Sequence, residues 1–287
     1  MTRPRAAPAA AAVALALLAW LPGCDSKPAP AFHRVDGVWR YRDTPIPDAD
    51  AATFTALSDR YAKDRAHVYY ADHYRDGREY FAIRHDRVRA VAGADPATFR
   101  LLAHDYARDA SRVYYEGAPI AVRDAATFVP LDDGFARDRV AGYYQQQEIA
   151  GSDGATFAVA GAHYAKDRSR VYHAEIATDD GARGPYVRAV ALPDAQPATF
   201  RVLDSGYAHD AAQAWYRDRV LTRETASFAV LPFDYARSAA EVWYRGEPVR
   251  GADPATFRTL PAPADDADAA DAHARYQQGR RVPPAAR

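Results

Sequence analysis

The phrase Thr-Phe, once Ser-Phe, returns at Phe54, Phe99, Phe128, Phe157, Phe200, Phe228 and Phe257. Four of the six intervals are 28 or 29 residues; Phe54 to Phe99 and Phe157 to Phe200 are longer, at 45 and 43. A chain with this period makes small units that cannot each bury a core alone, so they must stack on one another. This constrains the fold more tightly than composition does.

One module reads Asp-Pro-Ala-Thr-Phe, then Tyr-Ala-x-Asp, then Val-Tyr-Tyr, a turn, and Ile or Val, as from Asp95 to Ile120. The opening predicts one helical turn: an aspartate accepts the free amides, proline suits the first helical position, and a hydroxyl follows three residues after the cap. Asp50, Asp95, Asp124, Asp153 and Asp253 hold the cap place, with Gln196 and Glu224 as substitutes. Phe99 with Leu102 and Phe128 with Leu131 are spaced to bury on one side of that turn. Val-Tyr-Tyr favours a strand, and Gly117, Asp218 or Gly246 supplies the reversal of a hairpin.

Adjacent strand residues face opposite ways. The first aromatic column (Tyr69, Tyr114, Tyr143, Tyr172, Trp215, Trp243, Tyr276) is therefore expected to pack between modules. The second (Tyr70, Tyr115, Tyr144, Tyr216, Tyr244), which drifts to His173 and Gln277, is expected on an outer face. Half-modules are expected at both ends, around Val38 to Ile46 and Asp271 to Val282. The expected fold is mainly β: tandem β-hairpin repeats with short helical turns in an open, solenoid-like stack. A propeller-like closed ring is the alternative, but propeller blades need roughly 40–45 residues each.

Residues 1–23 read as a lipoprotein signal peptide. Arg3 and Arg5 give a positive start, and the apolar run from Ala6 to Leu21 is too short for a bilayer span of roughly 20 residues. Leu21-Pro22-Gly23-Cys24 resembles the lipobox of bacterial lipoproteins, with Pro22 a departure from the usual small residue. That resemblance makes Cys24, the only cysteine, the lipid-attachment site and a membrane anchor; two or more acyl chains hold stably. Residues 24–32 are then the lipidated cysteine and a tether, and 33–287 the repeat domain. Asp25 resembles an inner-membrane retention signal, which would place the domain outside the cytoplasm on the periplasmic side. Cleavage takes 37 basic residues against 38 acidic to 35 against 38, a net negative charge that argues against nucleic acid as the partner.

Tyr-Ala-Lys-Asp-Arg-Ala-His-Val-Tyr-Tyr (Tyr61 to Tyr70) and Tyr-Ala-Lys-Asp-Arg-Ser-Arg-Val-Tyr-His (Tyr164 to His173), each near a Thr-Phe phrase, resemble the DKNYY repeat family over roughly residues 35–283. Arg65, Arg139 and Arg168 stand where the family often has lysine or asparagine. The resemblance implies bacterial proteins, often lipoproteins, and brings no catalytic residue with it.

The aspartate column Asp64, Asp109, Asp138, Asp167, Asp210 and Asp271 reads as local turn acceptors. Calcium needs six to eight oxygens at one point, and Ser238 breaks the column. The nine histidines show no zinc-peptidase spacing, and the serines lack a nucleophile elbow. No metal, cofactor or catalytic residue is implied. The two long modules, around Ala71 to Phe81 and Thr178 to Tyr186, read as projecting hairpins turning at Asp76-Gly77 and Asp180-Gly181. The plainer role for such hairpins is to cover a sheet edge; aromatic and Arg side chains on a protrusion also suit binding. The candidate binding residues are therefore Tyr70, Tyr115, Tyr144, Tyr216 and Tyr244 in the column, with Tyr74, Arg78, Tyr80, Arg183 and Tyr186 on the hairpins. The expected function is a membrane-anchored, non-enzymatic binding or scaffold module for an envelope protein, peptide or cell-wall glycan. An envelope hydrolase assembled from distant repeats and a purely structural envelope protein are the alternatives, and the oligomeric state stays open.

Overall fold

Each module folds into a four-stranded antiparallel meander. In the third, the strands Arg100–Leu101, Tyr106–Arg108, Val113–Tyr115 and Ala118–Ile120 lie side by side in chain order. The computed structural model describes residues 30–75, 84–178, 184–264 and 267–283, with backbone alone for 261–264. It contains eight sheets in tandem, seven of four strands and the first of three, none closed into a barrel. The signal peptide, Cys24, the tether up to residue 29, both hairpin tips, Arg78, Tyr80 and Arg183 lie outside the described residues.

The helical turn is present but brief. Ala125–Thr127 forms a 3-10 turn whose cap, Asp124, accepts from the Ala126 amide at 3.2 Å. Phe128 is already extended, with ψ 128, and opens the two-residue strand Val129–Pro130. Tyr-Ala-x forms a further strand, as at Tyr106–Arg108. One expected hairpin per module is thus a four-stranded sheet, because strands of two or three residues are too short for period-2 alternation to reveal them. The ends also differ from expectation. The first sheet has three strands (Phe32–Val35, Val38–Tyr41, Thr44–Pro45), whereas the last is complete: Arg258–Ala264, Ala267–Ala270, Arg275–Gln277 and Arg280–Arg281.

Seven apolar clusters lie between the eight sheets, each shared by one sheet and the next. Between the second and third sheets, Tyr61, Val68 and Tyr70 meet Phe99, Ala107 and Tyr114. Among the described residues none of these clusters joins the first sheet to the last, so the stack is linear. Ring pairs such as Phe99 with Tyr114 at 5.6 Å and Tyr61 with Phe99 at 5.6 Å recur down the array; each adds roughly 0.5–1.5 kcal/mol beyond its buried area.

A polar latch ties each module's opening turn to its central hairpin. In the third sheet, Asp109 Oδ1 accepts from the amides of Ser111 and Arg112 at 2.8 and 2.7 Å. Its Oδ2 accepts from the Asp95 amide at 3.1 Å and the Tyr114 hydroxyl at 2.7 Å. Thr98 closes the arrangement, donating to Asp95 at 2.6 Å and accepting from the Ala110 amide at 3.1 Å. The same pattern recurs at Asp64, Asp138, Asp167 and Asp271 with Tyr69, Tyr143, Tyr172 and Tyr276. The column is therefore a set of turn acceptors, as its residue types suggested. Among the described residues, no group of three or more His, Cys, Asp or Glu is placed to hold a metal ion.

Burial alone would raise the pKa of these carboxyls, but the hydroxyl and amide donors outweigh it. They bring Asp109, Asp167 and Asp271 to about 2 and lower Asp64 and Asp138 as well. A carboxyl whose folded pKa lies below its unfolded value of about 3.8 stabilises the fold fully above that value, and the contribution fades as pH falls toward the folded value. Thermal unfolding followed by circular dichroism should show a melting temperature insensitive to pH from about 7 to 5 and a steep drop between about 4 and 2. The latches at Asp109, Asp167 and Asp271 each contribute on the order of 1–2 kcal/mol to that drop. A flat profile across the lower window would show that the carboxylates are not held this way.

Candidate functional site

Because the sheets stack face to face, an interior sheet has no outer face. Alternation along Val-Tyr-Tyr sends the first tyrosine into the core shared with the preceding sheet and the second into the core shared with the following one. Tyr69 thus belongs to the first core and Tyr70 to the second. The first column is buried throughout, as expected. The outward placement of the second is overturned: Tyr70 and Tyr144 are buried, and Tyr115, Tyr216 and Tyr244 are only half-buried. Tyr144 is covered by the fifth sheet's hairpin, with Ala174, Val187 and Ala189 in the same cluster.

A second tyrosine series, in the Tyr-Ala-x strand, hooks each sheet to the next. The hydroxyls of Tyr61, Tyr207 and Tyr235 accept from the turn amides of Gly117, Gly246 and Gly279 at 2.7, 3.1 and 2.8 Å. Tyr106 donates to the Gln145 carbonyl at 2.7 Å. Phe32 and Phe135 take the hook position in the two sheets that precede a long hairpin, where the next sheet offers no tight turn to grasp. Phe in place of Tyr was a sequence signal for the long hairpins that went unread.

The long hairpins pair Val68–Tyr74 with His85–Ala90, and Val171–Ala177 with Tyr186–Ala191. Their registers correspond rung by rung. Asp72 opposes Arg87 in one and Glu175 opposes Arg188 in the other; two residue pairs further out, on the same face, Tyr74 opposes His85 and Ala177 opposes Tyr186. Arg87 grips Asp72 with Nε and Nη2 at 2.8 and 2.7 Å and lies 5.6 Å from the Tyr74 ring centre. Arg188 pairs with Glu175 at 3.6 Å and also with Asp218 of the following turn. Similarly, Arg89 donates to the Glu116 carbonyl at 2.8 Å. Each hairpin is thus fastened to the next module's turn, while its outer rung stays open: Tyr74 is 46% exposed and Tyr186 45%. Of the hairpin candidates, these two stand in solvent at the same level of their hairpins but on opposite strands: the register counterpart of Tyr74 is Ala177, and that of Tyr186 is His85.

The fifth sheet carries His173 where most modules carry tyrosine, and the next turn has Asp218 where Gly117, Gly246 and Gly279 stand elsewhere. At the usual pairing, a Cβ on the turn glycine would meet the tyrosine ring, as for Gly117 against Tyr70 at 2.4 Å. The smaller imidazole makes room for the aspartate. Burial pushes the His173 pKa down, with Asp218 opposing and His163, Arg217 and Arg188 adding to the fall, to about 4, so the ring is neutral at pH 7. A surface cavity of about 430 Å³ opens beside it, lined by Tyr144, His163, Glu175, Tyr216 and Arg217. No helix among the described residues is long and apolar enough to cross a membrane.

Among known protein families, the model of the DKNYY family matches residues 33–176, from the first sheet into the outgoing strand of the second long hairpin. No curated protein matches the chain, and no solved structure does.

Proposed function

We propose that this chain, which belongs to the DKNYY family, is a membrane-anchored, non-enzymatic binding scaffold of the bacterial envelope that holds its partner on the two long hairpins. The observation that carries the reading is that each long hairpin holds one tyrosine, Tyr74 or Tyr186, about half exposed near an Arg–carboxylate pair at a matching register position. Exposed aromatic and Arg side chains on a rigid support are the groups that dominate binding surfaces. The buried tyrosine column no longer supports a partner lying along it. Residues 1–24 support an anchor through Cys24 and a domain on the periplasmic side. The partner is an envelope protein, peptide or cell-wall glycan.

The test is capture from cross-linked envelopes with the full chain as bait. Wild type should retain a partner that the Tyr74→Ala/Tyr186→Ala double variant loses, with unchanged circular dichroism. In the same cells Cys24→Ala should move the protein from the membrane to the soluble fraction. Unaltered capture would refute the hairpin site, and membrane retention would refute the anchor. Burial of Tyr70 and Tyr144 favours a second reading, a purely structural envelope protein, under which the double variant would be silent.

A further inference from the structure

We infer that the two long hairpins are a matched pair of platforms for a single linear, uncharged polysaccharide strand. One platform is Tyr74 with Arg87 and Asp72, the other Tyr186 with Arg188 and Glu175. This rests on the binding role proposed above and names its ligand class.

The sheets that carry the platforms are equivalent, although the two tyrosines stand on opposite strands. Phe32, Tyr41, Lys63 and Asp72 recur as Phe135, Tyr144, Lys166 and Glu175, always 103 residues later. Lys63 and Lys166 even donate to equivalent carbonyls, those of Pro96 and Pro197, at 2.7 and 2.8 Å. Sheets one to three therefore recur as sheets four to six, and each long hairpin sets a tyrosine, an arginine and a carboxylate at matching levels, with the tyrosine on the outgoing strand in one and on the returning strand in the other. A ligand that satisfies both must carry the same chemistry twice, as a polymer of repeating units does.

The chemistry of the rung selects the polymer. A solvent-facing phenol ring offers an apolar plate with a polar edge, which suits the C–H face of a sugar ring. The guanidinium beside it has five N–H donors; at Arg87, two of them go to Asp72. Hydroxyl and acetamide groups can use the remaining donors and the carboxylate oxygens. Arg87 is paired with Asp72, and Arg188 with Glu175 and Asp218, while the same carboxylates also reach Arg89 and Arg217, so a polyanion, which binds chiefly by neutralising its charge against free cations, gains less from these paired guanidinium groups. A peptide added as an extra strand would have to pair with the sheet edge at His85–Ala90. That edge carries Asp86, Arg87 and Arg89, and charged edges oppose strand addition.

The test titrates the full chain in detergent micelles with β-1,4-linked N-acetylglucosamine oligomers, from disaccharide to decasaccharide, and sediments it with protein-free peptidoglycan. The affinity should rise on the order of 100-fold once an oligomer spans both platforms. Tyr74→Ala and Tyr186→Ala should each abolish that rise while leaving about half of the short-oligomer binding. Binding without length dependence overturns the paired arrangement. If no saccharide binds, yet the double variant loses a cross-linked envelope protein, the ligand class is wrong and the binding role stands. If the variants are silent in both measurements, both readings fall.

Discussion

Asp138→Ala should lower the unfolding free energy by about 3–5 kcal/mol, the sum expected when several buried donors lose one acceptor. Asp138 is buried at 2% exposure. It accepts from the amides of Val140, Ala141 and Asp124 at 2.7, 2.8 and 2.7 Å and from the Tyr143 hydroxyl at 2.7 Å. Alanine leaves all four donors facing apolar packing in the fourth sheet, at the middle of the stack. Asp138→Asn keeps one carbonyl oxygen but turns an N–H toward donors, so its cost should be smaller, about 2 kcal/mol. Urea unfolding followed by tyrosine fluorescence reads both, and a loss below about 1 kcal/mol for alanine would show that water reaches these donors.

Gly117→Ala should cost about 3 kcal/mol or more, from left-handed strain and overpacking together. The residue sits at φ +72, and a Cβ there would lie 2.4 Å from the Tyr70 ring. Its amide also donates to Tyr61, so a shift that relieves the collision breaks the hook. Gly251→Ala separates the two effects: its φ is +74, and nothing lies within 4 Å of the added carbon. That control should cost only the left-handed penalty, about 1–2 kcal/mol. Equal losses in the same urea assay would mean that Tyr70 is not wedged against the turn.

The repeat was legible from the spacing of Phe54 to Phe257, and its turn residues and inward first aromatic from a single copy such as Asp95 to Ile120. What escaped was what depends on stacking direction. Tyr70 and Tyr144 looked outward because a hairpin with one wet face was assumed, whereas each sheet is covered on both sides. Strands such as Arg100–Leu101 and Tyr106–Arg108 are too short to display a period. Asp271 to Val282 read as a half-module because Ala267–Ala270, the strand ahead of it, carries none of the tyrosine signature. The long hairpins were recognised from spacing, but their kinship was not. Asp72 matches Glu175 and Arg87 matches Arg188 only after the strands are laid in register, since the intervening tips differ in length.

The confinement of each core to two neighbours makes the array a ruler graduated in whole sheets. Splicing one more unit between Phe99 and Phe157 would disturb only the two joins it creates. It would also carry the Tyr186 hairpin one graduation farther from the Tyr74 hairpin. The separation of the two hairpins along the stack can therefore change in discrete steps of about 29 residues, with each hairpin left as it is.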